Sequence, residues 1–311
     1  MILGVFLSGI QALARIPVEQ LRIDRRNSLN TAAFISGYPG SPVGGFDQET
    51  ARMKAQVPDL PIEFVPGVNE ELGAVAVMGS QLAATRPDFI YDGVVGMWYG
   101  KAPGLDRACD ALRHGQFAGA SKNGGVVVLV GDDPACKSST LPSSSDATLV
   151  DLHIPILYPG DVQEAVDLGR HAVALSRASG LWSAMKIVTP LADGTGTVAL
   201  DLDRIQPVIP TMEIDGQIWE PQPNGIMLAA HSLAMEREFR EVRMVLAQRY
   251  ARANRLNRVV VDPPDAWIGL VAEAVALAGL PDMVRGYEDI KLDRGAAFRA
   301  ELAERLAEFN R

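Results

Sequence analysis

The sequence predicts an α/β protein built on a doubly wound, mainly parallel sheet with helices on both faces. Three observations predict it. From Thr31 to Thr189, short apolar and β-branched runs alternate with stretches of helical spacing. The runs are continuously apolar rather than alternating, as in strands buried on both faces. Each run ends in a turn rich in Gly, Pro, Ser or Asp. The runs are AAFISG at 32–37, IEFVPG at 62–67, YDGVVGMW at 91–98, GGVVVLVGDD at 124–133, IPILYPG at 154–160 and LWSAMKIVT at 181–189. Between them lie the helical stretches GGFDQETARMKAQ, NEELGAVAVMGSQLAA, GLDRACDALRHGQF and DVQEAVDLGRHAVALSRAS. Right-handed crossovers then bring every strand's carboxyl end, and the loop after it, to one crest, where open α/β sheets bind ligands.

The flanks read differently. The apolar N-terminus, MILGVFLSGI, predicts a first strand or the start of a buried helix. It lacks a basic leader and a small-residue cleavage site, so no signal peptide is expected, and it is shorter than the roughly 20 residues of a spanning helix. The stretch from Pro190 to Pro223 carries LADGTGT, several prolines and few periodic apolar positions. It predicts a connector arm (191–225) between an α/β domain over 1–190 and a helical extension over 226–311. Within the extension one long helix is expected over 226–256, then a strand (NRVVVD, 257–262), a short helix at 268–279 and a charged helix at 294–310.

Composition narrows the class. The chain has 311 residues, 48% hydrophobic and 22% charged, which is ordinary for a globular enzyme. A net charge of -9 with no Lys/Arg block argues against a nucleic-acid partner. Two cysteines, Cys109 and Cys136, are too few for a disulfide framework and for an iron–sulfur cluster held within the chain. A cytoplasmic protein with no membrane contact is expected. The four histidines (His114, His153, His171, His231) are scattered without metal-ligand spacing, and no metal site is expected.

The crest loops carry the candidate chemistry. GYPGSPVGG at 37–45 follows a strand and precedes a helix. It reads as a Gly/Pro turn or as a backbone cradle with Ser41 as a hydroxyl donor, and it fits neither the dinucleotide nor the phosphate-loop fingerprint. Asn69-Glu70-Glu71 opens a helix of small apolar residues expected to be buried all round. Asn69 suits an N-cap and the acids suit a first turn, while a carboxylate there also stands near low dielectric and can point into a site. Trp98–Gly104 closes the third run with aromatic, basic and glycine residues, as a packed turn or a ligand-facing loop. Gly131–Thr140 closes the fourth, is dense in polar groups and predicts a mobile, exposed loop in which Lys137 is solvated or functional.

Taken together and in order, FISGYPGSPVGGFDQE, PGVNEELGAVAVMGSQ, YDGVVGMWYGKAPGLDRACD and GDDPACKSST resemble the N-terminal part of the indolepyruvate ferredoxin oxidoreductase family, thiamine-diphosphate enzymes that act on 2-oxoacids. The likeness covers 12–190, continues through YARANRLNRVVVD at 250–262, and RGYEDIK at 285–291 resembles the tail of the long, fused members. The resemblance implies a pyrimidine-binding domain in which Glu70 hydrogen-bonds the aminopyrimidine ring of thiamine diphosphate, with Gly79 as the matching glycine of the motif. A protonated glutamate there stabilises the imino tautomer that removes the C2 proton. Cofactor contacts are implied for Tyr38, Pro39, Gly40, Asn69, Lys101 and Gly104, and substrate contacts for Ser41, Lys137 and Ser138.

The chain departs from the family's long members in carrying no Gly-Asp-Gly motif and no cysteine sets for clusters. A diphosphate-binding, iron–sulfur partner subunit holding Mg²⁺ is therefore expected, in a homodimer or heterotetramer, with this chain inactive alone. Two alternatives stand beside an oxidative 2-oxoacid decarboxylase subunit: a non-catalytic scaffold, and a non-oxidative thiamine-diphosphate decarboxylase or carboligase subunit.

Overall fold

In the computed structural model of the protein, residues 4–257 are described. The chain begins with β1 (Val5–Ser8) and α1 (Gly9–Arg26). Ser8 and Gln11 close a reciprocal capping box that starts the helix (3.2 and 2.9 Å). Then follow β2 (Thr31–Gly37), α2 (Phe46–Gln56), β3 (Ile62–Phe64), α3 (Glu70–Leu82), β4 (Gly93–Lys101) and α4 (Ala102–Ala118). The next elements are β5 (Val126–Asp132), α5 (Asp146–Asp151), β6 (Ile156–Leu157), α6 (Val162–Ser179) and β7 (Ser183–Val188). Six of these strands form one sheet in the order β3-β2-β4-β5-β7-β6, and every pair in it is parallel.

Helices cover both faces, as the unbroken apolar runs require; every residue of β5 is buried. On one face, Ala74 and Val77 of α3 and Leu105 and Ala108 of α4 share a core with Trp98, Val126, Val128, Val130 and Trp182. A second packing group joins α1 to α2 and α6. Arg177 of α6 clamps the buried Asp24 of α1 through both guanidinium nitrogens (2.7 Å each), and Gln20 and Thr31 donate to the same carboxylate. This satisfied network ties α1 to α6 and to the start of β2.

Strand order locates the ligand edge. β2 lies between β3 and β4. The chain leaves β2 through α2 toward β3, but leaves β4 through α4 toward β5, so the two connections diverge. That divergence opens a crevice at the carboxyl ends of β2 and β4, the switch point where open α/β sheets take ligands.

The flanks differ from the sequence expectation. The N-terminus forms both a strand and a helix. The stretch read as a connector arm is partly built into the body: α7 (Thr189–Ala192) is followed by β8 (Thr195–Val198), which pairs antiparallel with β1. Only the distant partner strand makes TGTV a strand; the local glycines conceal it. Asp215 and Gly216 (φ 52° and 78°) turn a short exposed hairpin, β9 (Glu213–Ile214) and β10 (Gln217–Ile218). The helix expected over 226–256 runs from Ala229 to Ala253 as α8 (Ala229–Glu238), a π-turn at Phe239–Arg243, and α9 (Met244–Ala253). Phe239, Ala247 and Tyr250 pack on Leu175, Ala178 and Leu181. The NRVVVD strand, the helices expected at 268–279 and 294–310 and the RGYEDIK segment lie outside the described residues. No helix among the described residues is long and apolar enough to cross a membrane.

Candidate active site

Four loops meet at the β2/β4 crevice. The end of β2 is locked to β4 and to the approach of α3: Tyr38 N–H donates to Tyr99 O (3.0 Å) and Gly67 N–H to Gly37 O (2.8 Å). Asn69 is the N-cap of α3, its side-chain oxygen accepting from Leu72 N–H (2.8 Å), so its polar head is spent within the helix. The Trp98 indole N–H donates to the carbonyl of Glu70 (2.9 Å) and pins the first turn of α3 to β4.

Glu70 and Glu71 then part company. Glu71 is exposed, whereas Glu70 is only 6% exposed. The Glu70 carboxyl lies against Gly104 of α4, where a Cβ would stand 2.7 Å from both its Cγ and Oε1. Gly104 is thus a gap in α4 that admits the carboxyl. That carboxyl makes no hydrogen bond or ion pair with any described residue. Its oxygens are not among the sealed polar atoms that lack a partner, so the carboxyl keeps an opening toward the crest. Such a group fits a polar ring held against it.

The remaining expected residues lie on the neighbouring crest loops. A Cβ on Gly40 would stand 2.8 Å from Lys101 Cδ, so the Lys101 stem lies beneath that glycine. The Ser138 hydroxyl donates to Ser41 Oγ, joining the first and fourth loops. Pro39 and Tyr38 are exposed on the same rim. Lys137 is exposed and turned to Asp193 (2.6 Å).

Two expectations are corrected. The loop after β5 is tied down rather than free, because Asp133, fully buried, accepts from the N–H groups of Lys137 (2.9 Å), Ser138 (2.9 Å) and Ser139 (3.0 Å). Burial works to raise the Asp133 carboxyl, and these N–H groups outweigh it, holding it below the usual carboxylate range. Ser145 closes the loop's far end on Asp132 (3.0 Å), a carboxyl that burial pushes up. The Asp-x-x-x-Lys-Ser-Ser spacing was the available signal, a side chain capping its own turn. Second, α3 is not buried all round: Leu72 and Val75 are exposed, as are Val65 and Val68 before it. The glycine the packing needs is Gly73, where a Cβ would stand 2.8 Å from Gly37 Cα, while a Cβ on Gly79 would meet nothing. Among the described residues no group of three or more His, Cys, Asp or Glu is placed to hold a metal ion.

A parallel sheet with helices on both faces and a switch point between β2 and β4 defines the class, a doubly wound α/β domain. The 2-oxoglutarate:ferredoxin oxidoreductase from Magnetococcus marinus, solved with 2-oxoglutarate, coenzyme A and succinyl-CoA, superposes with a TM-score of 0.54 at 16% identity, over 79% of this chain and 45% of that one. More particularly, the chain is similar to indolepyruvate oxidoreductase subunit IorA. Identity is 26% over 275 residues with the Archaeoglobus fulgidus protein, covering 88% of this chain and 40% of that one. With the Pyrococcus horikoshii protein it is 27% over 196 residues, covering 63% and 26%. The family resemblance read from the crest motifs is borne out. The chain spans about 40% of the length of the first of these relatives. No protein-family model matches it.

Proposed function

We propose that this chain is a cytoplasmic subunit of a thiamine-diphosphate-dependent 2-oxoacid oxidoreductase that supplies the pyrimidine side of the active site, with arylpyruvates as the substrate class. The observation that carries the reading is Glu70, a buried carboxyl with no internal partner, lodged in the gap that Gly104 leaves in α4. When bound, thiamine diphosphate supplies an electron sink that lets a 2-oxoacid lose carbon dioxide. Glu70 would hold the aminopyrimidine ring and exchange a proton with it. The Trp98–Glu70 hydrogen bond fixes the helix turn that aims the carboxyl, and Tyr38–Gly40 forms the rim beside it. Ser41 and Ser138 offer hydroxyls toward the acid.

The diphosphate, its Mg²⁺ and the iron–sulfur carrier are assigned to a partner subunit. The exposed apolar side chains of Val65, Val68, Leu72 and Val75, near in the chain to the turn bearing Glu70, support a protein wall there. The test is co-expression with the genomic neighbours and assay of CoA-dependent 2-oxoacid oxidation, with thiamine diphosphate binding followed by calorimetry. Glu70→Gln is expected to lower turnover by about 10²–10⁴, the span of acid–base catalysis. Near-normal turnover of that variant sinks the assignment, and no cofactor binding in any pairing favours a scaffold.

A further inference from the structure

The 2-oxoacid arrives with a charged carboxylate, later lost as carbon dioxide, and a site that takes that carboxylate out of water on binding needs a cation to meet it. Two lysines stand at the crest. Lys137, in the loop the family resemblance places beside the substrate, has its ammonium on Asp193 at 2.6 Å and its backbone N–H on Asp133. Lys101 has no ion pair or hydrogen bond from its ammonium among the described residues. It ends β4 and is the N-cap of α4, so its backbone stands at the helix end whose dipole favours an anion. Its stem runs beneath Gly40, one residue from Ser41. Three residues on, Gly104 touches the buried, unpartnered carboxyl of Glu70. The Lys101 stem therefore touches the residue before Ser41, and the helix turn it opens brings Gly104 to Glu70, whereas the Lys137 ammonium is on Asp193.

We infer that Lys101 is the specificity-determining cation that receives the carboxylate of the 2-oxoacid, with Ser41 and Ser138 as its hydroxyl partners, and that Lys137 is a structural residue that braces the loop against Asp193. This rests on the 2-oxoacid reading above and replaces the cofactor contact expected for Lys101. An ammonium meeting a carboxylate also sets the class of ligand: 2-oxoacids bind, and the matching neutral ketones do not.

The test uses the chain co-expressed with its genomic neighbour and has two readouts. In amine acylation read by mass spectrometry, phenylpyruvate is expected to protect Lys101, phenylacetone to leave it reactive, and neither to change Lys137. In steady-state assay, Lys101→Gln is expected to raise the KM for phenylpyruvate about 10–100-fold, the worth of one charge-assisted hydrogen bond, with thiamine diphosphate affinity unchanged. Lys101→Arg keeps the charge and should restore most of the affinity, which separates loss of the cation from loss of the fold. Protection of Lys137 instead of Lys101, or Lys101→Gln weakening thiamine diphosphate binding at unchanged KM, overturns the inference. Protection of Lys101 in a complex that binds no thiamine diphosphate upholds the anion site and sinks the proposed enzyme.

Discussion

At the scale of single residues, Glu70 and Gly104 form one device. A carboxyl at the start of α3 would normally turn outward to the helix dipole and water, as Glu71 does. Glu70 instead folds in because α4 presents no side chain at position 104. Gly104→Ala would place a methyl group 2.7 Å from Glu70 Oε1. The atom that must yield is the end of a flexible side chain, and alanine also improves helix propensity by about 1 kcal/mol, offsetting an overpacking cost of about 1–3 kcal/mol. The expected outcome is urea stability within about 1–2 kcal/mol of the parent, with turnover of the partnered enzyme reduced as in Glu70→Gln. Unchanged turnover would separate Gly104 from the site. The motif Asn-Glu was legible in the sequence; the burial of one glutamate and exposure of the next was not, since both suit a first helical turn.

At the scale of elements, α3 shows where helical patterning misleads. Its small apolar residues resemble a helix buried on every side, yet only Glu70, Gly73, Ala74, Val77 and Gln81 are buried. Gly73 meets the backbone of Gly37, which cannot move aside without disturbing β2. Gly73→Ala is expected to destabilise the protein by about 1–3 kcal/mol and to displace the turn carrying Glu70, lowering activity with it. Gly79→Ala, in open space on the same helix, is expected to stabilise it by about 0.5–1 kcal/mol. Chemical denaturation of the two variants reads both signs, and equal effects would contradict the packing of α3 on β2. The loop after β5 carries the converse lesson. Its run of polar residues predicts mobility, and one buried side chain, Asp133, orders it through backbone N–H groups that no composition count anticipates.

At the scale of the whole molecule, the long helix ending in α9 is sealed to the sheet body through α6, and one contact there makes the seal sensitive to acid. The His171 ring nitrogen Nδ1 meets the Tyr250 hydroxyl at 2.8 Å. Burial, then the neighbouring Arg170 cation, lowers the His171 pKa from its ordinary 6.5, against a smaller opposing pull from Asp167. Because the unfolded chain takes up this proton more readily, the stability it contributes is present above pH 6.5 and is lost as pH falls through the lower folded value. The melting temperature of the parent should therefore fall more steeply than that of His171→Gln as pH drops from 6.5 to about 5. Parallel melting curves for the two would show that His171 does not govern the acid response.

The sequence by itself determined the fold class, the strand runs from Thr31 to Thr189 with the helices α2, α3, α4 and α6 between them, and the loops that form the crest, because burial on both faces of a parallel sheet writes itself as unbroken apolar runs; the short α5 (Asp146–Asp151) went unread. It also carried the resemblance to the indolepyruvate oxidoreductase subunits, because four motifs stand at successive strand ends in one chain. Only the tertiary structure decided that β8 returns to β1, that Gly73 rather than Gly79 is the close-packed glycine, and that Lys137 is committed to Asp193 while Lys101 is not. Each of these rests on what a residue meets across the fold, and neither periodicity nor residue type encodes a distant neighbour.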